Sequence, residues 1–184
     1  MPDADAATAE GPTGSPVGHD PVLMNETLEG LNLQPGHTIV DCTLGRGGHA
    51  SAIAHRLGPG GVLIGIDADP RNLQYASERV RAAAGGAGAP GNTPGPTLRF
   101  FHANFAELPD VLAAAGVTRV DGILADLGLS TNQLFDQQYG LSFAQPMPLD
   151  MRIAPRIRHT AADLVNTMRE EDLANVLYEL AQER

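Results

Sequence analysis

Lysine is absent from this 184-residue chain: its 12 basic residues are all arginine, and 22 acidic residues bring the formal net charge to −10. Nucleic-acid binding normally rests on Lys and Arg neutralising phosphates, so the net charge counts against such a partner and local charge must decide. The densest basic stretch free of acids runs from Arg152 to His159 and holds Arg152, Arg156, Arg158 and His159. Cysteine is nearly absent too. Cys42 stands alone in an apolar run, cannot form an internal disulfide, and fits a reducing compartment, which makes the cytoplasm the expected location. No run of about 18 apolar residues occurs, so no membrane-spanning segment is expected. Residues 1–18 are acidic and rich in Pro, Gly and Ala, lack the parts of a signal peptide, and read as a disordered tail. No spacing of His, Cys or carboxylates points to a metal site.

What is present is apolar content, 42% of the chain, enough for one globular core with room for an appendage. Val22 to Leu33 predicts a short helix ended by Pro35-Gly36. Thr38 to Cys42 is strand-like and runs into glycines, after which Ala50, Ile53, Ala54 and Leu57 recur at helical spacing until Gly58. The unit repeats with strand Val62–Ile66 and a helix opened by Asp69-Pro70. Residues 83–97 are low in complexity and read as a flexible insertion. Strand Leu98–His102, a helix from Phe105 to Ala115 and strand Val120–Ala125 complete a doubly wound α/β pattern. Leu127 to Arg158 lacks regular periodicity and is long for a connection. Helices then resume at two capping-box-like sequences, Thr160 to Asp163 and Thr167 to Glu170, with Leu173, Val176, Leu177 and Leu180 on one apolar face.

In open α/β sheets, ligands bind at the carboxyl ends of strands, where glycines admit the backbone and a helix N-terminus offers N–H groups. Gly45, Gly47 and Gly48 stand at that place, although glycines also serve plain tight turns. Asp67 closes the second strand, where a carboxylate can take both hydroxyls of an adenosine ribose. Asp69 is the better helix cap, since it precedes Pro70, which leaves Asp67 for the ribose. The loop Gly45-Arg46-Gly47-Gly48-His49-Ala50 also fits a dinucleotide fingerprint, so NAD is not excluded by it. Asp41, just before the loop, would repel a pyrophosphate and suits the ammonium and sulfonium of S-adenosylmethionine. A carboxylate that caps loop N–H groups is compatible with the same position.

Several separate segments then point one way: His19-Asp20-Pro21-Val22-Leu23, Asp41 to His49, Asp121 to Ser130, Gly140-Leu141-Ser142-Phe143 and Pro148-Leu149-Asp150-Met151-Arg152. In this order they resemble the bacterial small-subunit ribosomal RNA cytosine N(4)-methyltransferases, the MraW or RsmH family, from His19 to Arg184. The resemblance implies an α/β, Rossmann-like class I S-adenosylmethionine-dependent methyltransferase sheet, of which this chain holds the first four parallel strands. Residues 19–130 would be the cofactor-binding domain, incomplete, and residues 131–184 the start of a helical substrate-recognition insertion. The family extends well past this length, so the chain is expected to be truncated, and inactive or poorly stable by itself. Leu44 and Leu141 stand where the family often has Phe, and Thr131-Asn132 alter the segment before Gln133.

The resemblance puts cofactor contacts on Gly47, Gly48, His49, Asp67, Phe105, Asp126 and Gln133. It implies a small-subunit ribosomal RNA, or the assembled small subunit, as partner, no membrane, and leaves room for a homodimer. Chemically, methylation of an exocyclic amine needs acceptors that localise its lone pair, and Asp126 is the candidate catalytic residue. A cysteine adduct, as in carbon methylation, is not expected, because the only thiol, Cys42, is expected inside the first strand as core packing. Arg152, Arg156 and Arg158 are the candidate RNA-phosphate contacts. An NAD-dependent oxidoreductase and a noncatalytic nucleotide- or RNA-binding remnant are the competing readings.

Overall fold

The structure is a computed structural model that describes residues 21–85 and 94–183. The expected tail, 1–18, and residues 86–93 of the expected insertion lie outside the described residues. At the insertion's ends, Ala83 is the last residue of a helix and Thr97 the first of a strand.

Four strands form one parallel sheet: β1 Thr38–Asp41, β2 Val62–Asp67, β3 Thr97–His102 and β4 Gly122–Leu124, in the order β3-β2-β1-β4. β1 and β2 are continuous apolar runs because both faces are covered. Ile39 and Leu63 point to one face, where α1 (Met24–Gly30), α2 (Gly48–Leu57) and α3 (Pro70–Ala83) bury Leu28, Ile53, Leu57 and Val80. Val40, Ile64 and Ile66 point to the other, against Val111 and Ala115 at α4 (Leu108–Ala114). Helices therefore lie on both faces, as in a Rossmann-like sheet. The chain progresses outward from β1 to β3, then returns through α4 to place β4 on the far side of β1. That reversal opens a crevice at the carboxyl ends of β1 and β4.

Three expectations about the helical segments need correction. The helix expected from Phe105 begins as a tight 3-10 turn, Phe105–Glu107, and becomes α-helical only at Leu108. The stretch after Leu127 is not irregular throughout, since α5 (Thr131–Phe135) lies within it. Thr160 and Asp163 do form a capping box for α6 (Ala161–Thr167). Thr167 does not cap α7 (Glu170–Ala181): its hydroxyl donates to the Asp163 carbonyl one turn back, and Arg169 takes the cap position without a side-chain bond. Among the described residues no helix is long and apolar enough to cross a membrane.

Candidate functional site

The crevice is a cavity of about 890 Å³ at the carboxyl ends of the strands. Its floor is the loop after β1, which is stitched to β2: the Leu44 N–H donates to the Ile66 carbonyl at 2.9 Å and the Gly45 N–H to Asp67 Oδ2 at 2.7 Å. Gly47 has φ of +74°, and a Cβ there would lie 3.1 Å from Ala76 Cβ and Val80 Cγ2. Glycine is thus required both by backbone conformation and by the approach of α3. Gly47 donates to the Leu44 carbonyl, and the Ser51 N–H is the first to bond back to Gly47. The N–H groups of Gly48, His49 and Ala50 belong to the open first turn of α2, where an anion is favoured.

Three carboxylates gather around this floor. Asp67 lines the cavity, yet it is not left free as expected: Oδ2 accepts from Gly45 N–H and Oδ1 from Asp69 N–H at 2.8 Å. Each oxygen retains a second lone pair for a ligand. Burial raises its pKa above the usual carboxylate range, opposed by those two backbone bonds. Asp41 is 1% exposed and stands behind the lining, with Oδ1 accepting from Thr43 N–H at 3.1 Å. It is the loop cap, and does not itself face the cavity. Burial above all, with Asp67 and Asp126 adding, pushes its pKa up to about 7.

Asp126 follows β4, lines the cavity, and is 62% exposed at its side chain. Its backbone is fixed by an N–H bond to Thr43 Oγ1 at 2.7 Å, which ties β4 to the loop after β1. His49 is nearly buried. Its Nε2 donates to the Val22 carbonyl at 3.1 Å, and Nδ1 faces Asp126 Oδ2 at 3.8 Å. Phe105, 52% exposed, also lines the cavity at the head of the 3-10 turn, held by the Asn104–Glu107 capping box. Its ring is open for stacking.

Gln133 lines the cavity but its amide is already engaged. Nε2 donates to Asp69 Oδ2 at 2.9 Å and Oε1 accepts from Ser130 N–H at 3.1 Å. Asp69 proves to be more than a helix cap. It accepts from Arg71 N–H, from Gln133 and from the Tyr139 hydroxyl while only 1% exposed. Neither Asp69 nor Tyr139 is marked out by sequence pattern, since Asp before Pro reads as an ordinary cap. The Ser130-x-x-Gln133 spacing, by contrast, is a helix-start signal legible in the chain.

The arginines do not converge on one basic face. Arg152 is bidentate to Asp150, and Arg156 is bidentate to Glu107 at 2.9 and 2.7 Å, holding that carboxyl down at about 2. Arg158 is exposed and has no ion pair among the described residues.

With this geometry the sequence comparisons agree. A match to the MraW methylase family spans residues 16–184. The chain belongs to that family. It is 42% identical over 171 residues to Ribosomal RNA small subunit methyltransferase H of Syntrophobacter fumaroxidans, across 93% of this chain and 50% of that protein. It is 44% identical over 166 residues to the protein of the same name from Geobacter sulfurreducens, across 90% and 50% respectively. The chain spans about half the length of the curated relatives it matches. Among solved structures, TrmN from Thermus thermophilus is 26% identical with a TM-score of 0.45, over 60% of this chain and 29% of that one. This overlap is too partial to add to the MraW assignment.

Proposed function

We propose that this chain is the cofactor-binding part of an S-adenosylmethionine-dependent methyltransferase that modifies the exocyclic N4 amine of a cytidine in small-subunit ribosomal RNA. Its partner would be that RNA or the assembled small subunit, in the cytoplasm. The observation that carries the reading is the MraW family match, which takes in every element lining the cavity. The relatives' name, Ribosomal RNA small subunit methyltransferase H, supports the RNA substrate. The cavity fits such a cofactor: its volume is in the range of small-molecule sites, and two carboxylates, Asp67 and Asp126, line it. A pyrophosphate would meet their charge, whereas a sulfonium or ammonium is attracted.

In this reading the first-turn N–H groups of Gly48 and His49 receive the cofactor carboxylate. Asp67 uses its remaining lone pairs for the ribose, Phe105 stacks on the adenine, and Gln133 lines the wall. When bound, S-adenosylmethionine supplies an electrophilic methyl group. Asp126 would accept a hydrogen bond from the target amine, freeing its lone pair for attack, and would take the proton released as the N–C bond forms. The cytidine must be unpaired or flipped to reach it. Arg158 is the RNA contact available as it stands; Arg152 and Arg156 would have to exchange a carboxylate for a phosphate. Residues 131–184 would begin the helical substrate-recognition region.

Calorimetric titration with S-adenosylmethionine and, separately, NAD tests the cofactor. Transfer of labelled methyl to unmodified small-subunit ribosomal RNA, followed by nucleoside analysis, tests the rest. Preference for NAD, or label on any atom other than cytidine N4, would overturn the proposal.

A further inference from the structure

The wall of the cavity formed by residues 126–135 lacks an apolar attachment. Of the five residues of α5 only Gln133 is buried, at 4% exposure, while Leu134 and Phe135 are exposed. A helix this short cannot hold its place by propensity, and here apolar burial does not hold it either. At its near end the wall is tied by the Asp126 N–H bond to Thr43. At its far end it is tied to the start of α3: Gln133 and Tyr139 donate to Asp69, and Asn132 Nδ2 donates to Asn72 Oδ1 at 3.1 Å. Arg71 reinforces this end, lying 4.1 Å over the Tyr139 ring and pairing with Asp136 at 3.0 Å.

We infer that Asp69 is a positioning residue for the cofactor cavity: its buried carboxylate, by holding the Gln133 amide and the Tyr139 hydroxyl, sets the place of the α5 wall. Its carboxylate oxygens are the acceptors here, and both neighbours turn their donors to Oδ2. That orients the Gln133 amide nitrogen inward and leaves Oε1 for the Ser130 N–H, which closes the cap of α5. Burial and the Asp69 carboxylate raise the Tyr139 pKa, which keeps the hydroxyl a donor. A second, more open cavity of about 280 Å³ adjoins the hub and is lined in part by Asp69, Arg71 and Tyr139.

The role of the wall in ligand binding rests on the methyltransferase reading; the attachment of the wall does not. Asp69→Asn keeps the volume and can still cap Arg71, but sets its amide donor against the Gln133 amide donor, while the Tyr139 hydroxyl can rotate to accept from it. Hydrogen exchange across residues 130–139 should accelerate, and affinity for S-adenosylhomocysteine should fall by about tenfold, the effect of one lost charged hydrogen bond. The double variant Asp69→Asn/Gln133→Glu reverses donor and acceptor while still accepting from Ser130, and should restore slow exchange in 130–139. A residue that only capped α3 would give no such rescue. Unchanged exchange in Asp69→Asn, or failure of the reversal to restore it, overturns the inference. Should Asp69→Asn fail to fold, Tyr139→Phe leaves the cap and the Gln133 bond intact, and faster exchange at 136–139 is required of it. If the unaltered protein binds no S-adenosylhomocysteine, the proposed function fails, and the exchange data still judge Asp69.

Discussion

Asp41 and Asp126 differ in burial, and that difference separates their roles. Asp41 is sealed behind the loop with a pKa near 7, so the folded chain holds a proton there that the unfolded chain has lost above its ordinary value of 3.8. A raised folded pKa contributes stability that is fully present below the unfolded value and is lost as pH rises through about 7. Asp41→Asn keeps an acceptor for Thr43 and removes the titration. Its denaturant midpoint should change less than that of the unaltered protein between pH 5 and pH 8, by the equivalent of roughly 3 kcal/mol. Parallel curves would show that Asp41 ionises freely. Asp126, exposed and fixed only through its backbone, should behave oppositely. Asp126→Asn should leave the thermal midpoint of this chain nearly unchanged and, in the full-length protein, lower single-turnover methyl transfer by about a hundredfold; unaltered turnover there would remove it from the chemistry.

At the scale of elements, the glycine loop and the ends of β4 show how side chains replace backbone partners. The strand expected over 120–125 is reduced to Gly122–Leu124; at its start the Asp121 N–H donates to the Thr38 carbonyl while Asp121 Oδ2 accepts from the Thr38 N–H, and past its end Thr43 Oγ1 accepts from the Asp126 N–H. Periodicity sees apolar alternation and is blind to such substitutions. The loop itself was legible, since a strand followed by closely spaced glycines and a helix has few other solutions. Gly47→Ala should cost about 1–3 kcal/mol, from the left-handed backbone and the crowding against Ala76 and Val80, and should weaken cofactor binding with it. Thermal unfolding and calorimetry on the same sample check both; wild-type values would mean that the loop yields easily. α5 escaped a reading by apolar spacing because its buried residue is an amide, although its capping box was written in the chain.

For the whole molecule, a net charge of −10 opposes association with RNA, and two of the three candidate arginines are already paired with carboxylates. Exchanging a carboxylate for a phosphate releases few counterions. The affinity of this chain for a small-subunit ribosomal RNA fragment should therefore depend weakly on salt, with a log–log slope no steeper than about −2. Fluorescence anisotropy across a salt series measures it, and a slope several times steeper would reveal a basic face not apparent among the described residues. Among the described residues, β4 is paired only with β1, and Val176, Leu177 and Leu180 on α7 are exposed, so the apolar face anticipated from helical spacing has no cover there.

The chain's sequence by itself determined the alternation of strands and helices, the glycine loop, the helix start at Asp69-Pro70 and the family, because these depend on local periodicity, turn chemistry and ordered motifs. It also brought Gly47, Gly48, His49, Asp67, Phe105, Asp126 and Gln133 forward as candidates; the fold sets all but Gly47 along the lining of one cavity, and Gly47 packs against α3 instead. Only the tertiary structure decided which of their polar groups are already spent. Asp41 turns away to cap its loop, Asp67 holds two backbone N–H groups, Gln133 answers to Asp69, and Arg152 and Arg156 hold carboxylates. The physical reason is that hydrogen-bond partners far apart in the chain are chosen by burial, where each donor and acceptor must be satisfied.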